Sequence, residues 1–154
     1  MYKPVTAHDL TLHADDGRPL AALLHAPEGE ARASVVIHGA TATPRRYYDR
    51  FARWLASQGF RVLSYDYRGV GASRGATLRD DDATLRDWAE RDAVAAVAYL
   101  RARFPSEPVV MVGHSFGGQS LGLSDALHAV DAAVMVGFQF GYRGHWPAPA
   151  RVGL

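Results

Sequence analysis

Short apolar runs alternate along the chain with longer segments in which apolar residues return every three or four positions. Ala33–Ile37, Phe60–Tyr65, Val109–Val112 and Ala132–Val136 are compact apolar stretches bounded by polar or glycine-containing segments. Runs of this length without alternation fit strands buried on both faces of a parallel sheet. Between the first two, Thr43 is placed to cap a helix and Pro44 suits its first turn. Tyr47, Phe51, Trp54 and Leu55 share one apolar face, which an amphipathic helix turns to the core, and Gly59 ends the segment. A second helix carries Leu85, Trp88, Ala89, Ala93, Ala96, Val97, Leu100 and Phe104 at helical spacing and stops at Pro105. A third begins near Phe116.

Ahead of these elements, Thr6–His13 and Leu20–His25 flank the turn signal Asp15-Asp16-Gly17, which predicts an antiparallel hairpin. From Ala33 to Val136 strand and helix alternate, the pattern of right-handed crossovers in a doubly wound, mostly parallel α/β sheet. Gly141–Leu154, with Pro147 and Pro149, reads as an irregular tail or the start of a cap segment.

Composition narrows the function. A chain of 154 residues with 48% hydrophobic content fits one domain. Seventeen basic against sixteen acidic residues, without charge blocks, give nothing aimed at nucleic acid or an anionic membrane. With no cysteine, disulfides and thiolate metal sites are ruled out, and no His/Asp/Glu cluster has metal-ligand spacing, so neither metal nor cofactor is expected. The start lacks a signal-peptide apolar stretch, and no run approaches the roughly 20 residues of a membrane span. A cytoplasmic protein is expected.

The chemistry concentrates after the Val109–Val112 run. Gly113-His114-Ser115-Phe116-Gly117 matches G-x-S-x-G between a strand and a helix, the context in which a serine is held on a sharp elbow with its hydroxyl projecting from the sheet. Strand and helix approach so closely there that Gly113 and Gly117 fit where larger residues would not, and Gly118 extends the clearance. The competing reading is a glycine-rich turn with a solvated serine. His114, as a neighbour on the elbow, is expected to point away from Ser115. Upstream, His38-Gly39 ends a strand, and acyl transfer needs two N–H donors at the developing oxyanion; the Ala40 and Phe116 N–H groups are the candidates. In Asp66-Tyr67-Arg68-Gly69-Val70-Gly71-Ala72-Ser73 the glycine spacing with Gly75 misses the dinucleotide fingerprint by one residue, which disfavours a nucleotide-binding reading. Asp66 is expected to fix this loop through local hydrogen bonds.

These three segments, in this order, resemble the α/β-hydrolase superfamily, in particular its serine aminopeptidase, lysophospholipase and esterase-like branch, from about Ala7 to Val136. The resemblance implies Ser115 as nucleophile, Ala40 and Phe116 as oxyanion donors, His38 and Gly39 as the oxyanion turn, and Asp66, Arg68, Gly69, Gly71 and Ser73 as a structural loop. It implies a small ester, thioester or amide substrate. It also implies a triad acid and histidine later in the chain. After Ser115 the sequence offers Asp125, His128, Asp131 and His145. The first two fall within or just after the helix that follows the elbow, and Asp131 precedes a strand, away from the catalytic end. His145 is the one base candidate, without an acid partner. The expectation is therefore an α/β-hydrolase domain that stops after about its sixth strand and is catalytically impaired, with an apolar edge at Ala132–Val136 prone to self-association. The alternative is a non-catalytic binding or assembly module on the same fold.

Overall fold

The computed structural model describes residues 4–75 and 82–139. Strands β1 (Val5–His13) and β2 (Pro19–Pro27) form the antiparallel hairpin, turning at Gly17, whose φ of 79° suits glycine. The other strands are β3 (Ser34–His38), β4 (Arg61–Tyr65), β5 (Val109–His114) and β6 (Ala132–Val136). The six form one mixed sheet in the order β1-β2-β4-β3-β5-β6. β2 pairs antiparallel with β4, and β4, β3, β5 and β6 run parallel.

Helices cover both faces. On one, α1 (Asp49–Ser57), entered through a 3-10 turn at Arg45–Tyr48, packs on Val35, Ile37 and Val62. On the other, α2 (Leu85–Asp87), a π-helical turn at Trp88–Asp92 and α3 (Ala93–Arg103) form one continuous helical segment over Val36, Leu63, Val109 and Met111. The expected stripe is buried from Trp88 to Leu100, while Leu85 is exposed. The start of this segment is fixed by a capping box between Thr84 and Asp87.

Two expectations for α1 are corrected. Thr43 caps nothing: its hydroxyl bonds the Thr41 carbonyl, and the 3-10 turn starts without a side-chain cap. Of the expected apolar face only Leu55 packs partly against the core, while Tyr47, Phe51 and Trp54 are exposed at 69%, 41% and 45%. Tyr48, Ala52 and Ala56 face the sheet instead. Alanine on the inner face lets the helix backbone approach the strands closely.

Candidate active site

β5 carries the chain to His114, and Ser115 then takes φ 52° and ψ −114° before α4 (Phe116–Gln119) begins. Among the described residues the other non-glycine with positive φ is Ala42. A serine held there costs about 1–3 kcal/mol, so its surroundings must impose the conformation. They do so on both sides. The Ser115 N–H donates to the Val136 carbonyl at 2.9 Å, and its own carbonyl accepts from the Gly118 N–H at 3.0 Å. A Cβ on Gly113 would lie 2.6 Å from the Gly118 Cα, and one on Gly118 2.8 Å from the Phe138 Cβ. Ser115 is half-buried, and among the described residues no side chain bonds its hydroxyl.

Phe116 is buried and opens α4, so its N–H lies in a first turn that lacks intrahelical acceptors. Its ring meets Tyr67 and Trp88 edge-on at 5.8 and 5.7 Å, and those two rings stack at 4.9 Å. The elbow thus rests on an aromatic cluster that the Asp66–Ser73 loop holds in place. Arg68 donates from its backbone and Nε to the buried Asp92 carboxylate at 2.8 and 2.7 Å, and its carbonyl accepts from the Trp88 indole N–H. The π-helical turn brings Trp88 and Asp92 together to meet Arg68. Burial pushes the Asp92 carboxyl's pKa up against the pull of Arg68.

Asp66 ties the same loop to the 3-10 turn that leads into α1. Its carboxylate accepts from the Arg45 N–H at 2.6 Å and the Ala72 N–H at 2.9 Å. Gly71, at φ 51°, has no room for a Cβ, which would lie 2.6 Å from that carboxylate. Ser73 donates to the Asp66 carbonyl and accepts from the Ala21 N–H, which fastens the loop to β2. Gly69 also has positive φ.

The turn after β3 comes directly against the elbow, because a Cβ on Gly117 would lie 1.9 Å from the His38 carbonyl oxygen. His38 is fully buried, its Nδ1 2.7 Å from the Tyr65 hydroxyl, and burial pushes its pKa down to about 3. It is a neutral structural residue. The Ala40 N–H is not open: it donates to the Tyr48 hydroxyl at 2.8 Å, and that hydroxyl lies 2.9 Å from His114 Nδ1. Tyr48 is the residue the sequence did not mark. It stands beside Tyr47 in an aromatic pair, and a helical-face reading selects the wrong member.

The later candidates fall elsewhere. Asp131 accepts from the Val109 N–H at 2.7 Å, at the start of β5 and so at the opposite end of that strand from Ser115. Asp125 and His128 lie on a 3-10 turn, with His128 Nε2 at 3.2 Å from the Leu121 carbonyl oxygen. His145 and the segment from Gly141 onward lie outside the described residues. A cavity of about 550 Å³ flanks α4, lined by Gly118, Leu121, Leu123, Met135 and Phe138, but Ser115 is not part of its wall. Among the described residues no acidic or histidine cluster could hold a metal, and no helix is long and apolar enough to cross a membrane.

Comparison with known proteins identifies the family. The family described as "Serine aminopeptidase, S33" matches residues 29–151. Human monoglyceride lipase is 31% identical over 104 residues, covering 67% of this chain and 33% of the lipase. A monoglyceride lipase homolog of monkeypox virus is 35% identical over 82 residues, 53% of this chain and 28% of that protein. In fold, an α/β serine hydrolase without lid from Xanthomonas campestris superposes with a TM-score of 0.70 at 21% identity, covering 96% of this chain and 66% of that one. The chain spans less than half the length of these curated relatives.

Proposed function

Because the chain belongs to the serine aminopeptidase family of α/β-hydrolases, we propose that it is built to hydrolyse carboxylic esters, thioesters or small amides through an acyl-Ser115 intermediate. The observation that carries this reading is the backbone of Ser115, at φ 52° and ψ −114° on a strand-to-helix turn packed against the His38-Gly39 turn. A solvated turn serine has no reason to be held in that conformation.

In the proposed step the Ser115 hydroxyl oxygen attacks the acyl carbon and gives its proton to a base. The carbonyl oxygen becomes an oxyanion, and the leaving alcohol, thiol or amine departs with a proton. Water then releases the acid and restores the hydroxyl. The Phe116 N–H is one oxyanion donor, worth about 3 kcal/mol, and the Ala40 N–H is the second. Among the described residues the base is not evident. His38 is buried and neutral, His114 faces Tyr48, and His128 lies beside the Leu121 carbonyl. His145 remains the candidate. Without a base, turnover falls by about 10⁴-fold or more.

The test is intact-mass analysis after treatment with a fluorophosphonate, comparing the protein with Ser115→Ala. Stoichiometric labelling that the variant abolishes is the expected result. No labelling of a folded protein would leave the elbow as architecture only.

The second reading, a non-catalytic binding module, is favoured by one observation: among the described residues β6 is an edge strand, with Val134 and Val136 about half exposed. It predicts self-association through that edge. A monomer in size-exclusion chromatography at micromolar concentration would count against it.

A further inference from the structure

The phenol of Tyr48 sits on the hydrogen that the oxyanion reading requires. A backbone N–H has one hydrogen, so the group that accepts it competes with a substrate oxygen for it. In this protein that group is the Tyr48 hydroxyl, 2.8 Å from the Ala40 nitrogen. The phenol is not there by loose contact. Its oxygen is also 2.9 Å from His114 Nδ1, the two rings meet edge-on at 5.9 Å, and the Tyr48 ring is buried. On its other side the ring presses on the turn itself, since a Cβ on Gly39 would lie 3.0 Å from Tyr48 Cε2. Tyr48 ends the 3-10 turn that leads into α1. Burial pushes the pKa of the hydroxyl above its ordinary value, so at neutral pH it is a phenol and can both accept from Ala40 and donate to His114.

We infer that Tyr48 is a gate on the oxyanion site: in the free protein its hydroxyl holds the Ala40 N–H, and an incoming acyl oxygen has to displace it. The inference rests on the acyl-Ser115 reading. His114 is the other half of the device, holding the phenol beside the turn. The contested bond makes Tyr48 a positioning residue that restrains the reaction. Its removal is expected to speed the chemistry.

The experiment measures the rate of Ser115 phosphonylation by a fluorophosphonate in the wild-type chain, in Tyr48→Phe and in Ser115→Ala, with circular dichroism confirming the fold of each. Phosphonylation puts negative charge on an oxygen at the same donors. Tyr48→Phe keeps the ring and removes the hydroxyl, and the expected result is labelling about five- to tenfold faster, the size of one net hydrogen bond. Loss of structure cannot produce a gain. Tyr48→Leu, which also lacks the hydroxyl, serves if the first variant does not fold. Serine-dependent labelling at an unchanged rate overturns the gate. A slower rate also overturns it and makes the phenol a donor to the oxyanion. Absence of labelling in both the wild type and the variant overturns the nucleophile reading, and the gate with it.

Discussion

The carbonyl oxygen of His38 occupies the space that a side chain on Gly117 would need, with only 1.9 Å between that oxygen and an ideal Cβ. The contact joins the end of β3 to the start of α4, and so joins the His38-Gly39 turn to the elbow at Ser115. Backbone faces backbone, so neither side has a flexible group to yield.

Gly117→Ala therefore forces the elbow and the turn apart. The expected cost is about 3 kcal/mol or more, at the upper end for single substitutions, because overpacking and strain act together. Urea titration at neutral pH measures it. A loss below about 1 kcal/mol would mean that the two segments separate easily.

Ser115 stores strain that glycine would not. Ser115→Gly is expected to stabilise the chain by about 1 kcal/mol relative to Ser115→Ala, which keeps a Cβ at the same positive φ. The same titration decides it. Equal stability of the two variants would show that the backbone relaxes without the serine.

His38 makes stability depend on pH. Burial holds its folded pKa near 3, against 6.5 when unfolded. Between those values the unfolded chain binds the extra proton, so this contribution is complete above about pH 6.5 and is lost as the pH falls. The slope reaches about 1.4 kcal/mol per pH unit. Burial lowers the His25 pKa too, despite Asp49 Oδ1 at 3.2 Å, and acts in the same direction. Urea midpoints from pH 7 to pH 5 are expected to fall, and less steeply in His38→Gln. Parallel slopes would mean that His38 is not the titrating group.

The aromatic residues of α1 are expected to contribute little. Trp54→Ala should cost under about 1 kcal/mol, because the ring is 45% exposed. Trp88→Ala removes a stacked ring from beneath the elbow and a hydrogen bond to the Arg68 carbonyl, at about 3–5 kcal/mol. Thermal melts of the two variants compare them directly. A large loss for Trp54→Ala would mean that its ring is buried in solution.

Much of this molecule is written in local pattern. β6 lies where the apolar run Ala132–Val136 places it, and the other strands depart from their apolar runs by one or two residues at most at either end. Consecutive apolar residues suit strands buried on both faces, as β3 and β4 nearly are, whereas β6, read in the same way, is mostly exposed. The elbow is legible for a related reason. Glycines at Gly113 and Gly117 around Ser115 are required by contacts between segments adjacent in sequence or joined by the sheet register, so their spacing carries the geometry. Asp66 is readable in the same way, bonding its own loop at Ala72.

The succession of strands and helices and the position of the serine between them each depend on residues close along the chain, and so can be read from it. Which face of α1 is inside, and what holds the Ala40 N–H, depend on contacts between segments that do not adjoin in the chain. Periodicity shows that Tyr47, Phe51 and Trp54 share a face. The packing of helix on sheet decides whether that face or the one with Ala52 and Ala56 lies against β3 and β4, and in the fold it is the face with the alanines. That choice turns Tyr47 to solvent and Tyr48 inward, to the Ala40 nitrogen and the His114 ring. Neither partner adjoins Tyr48 in the chain, and their meeting depends on how the helix packs against the sheet.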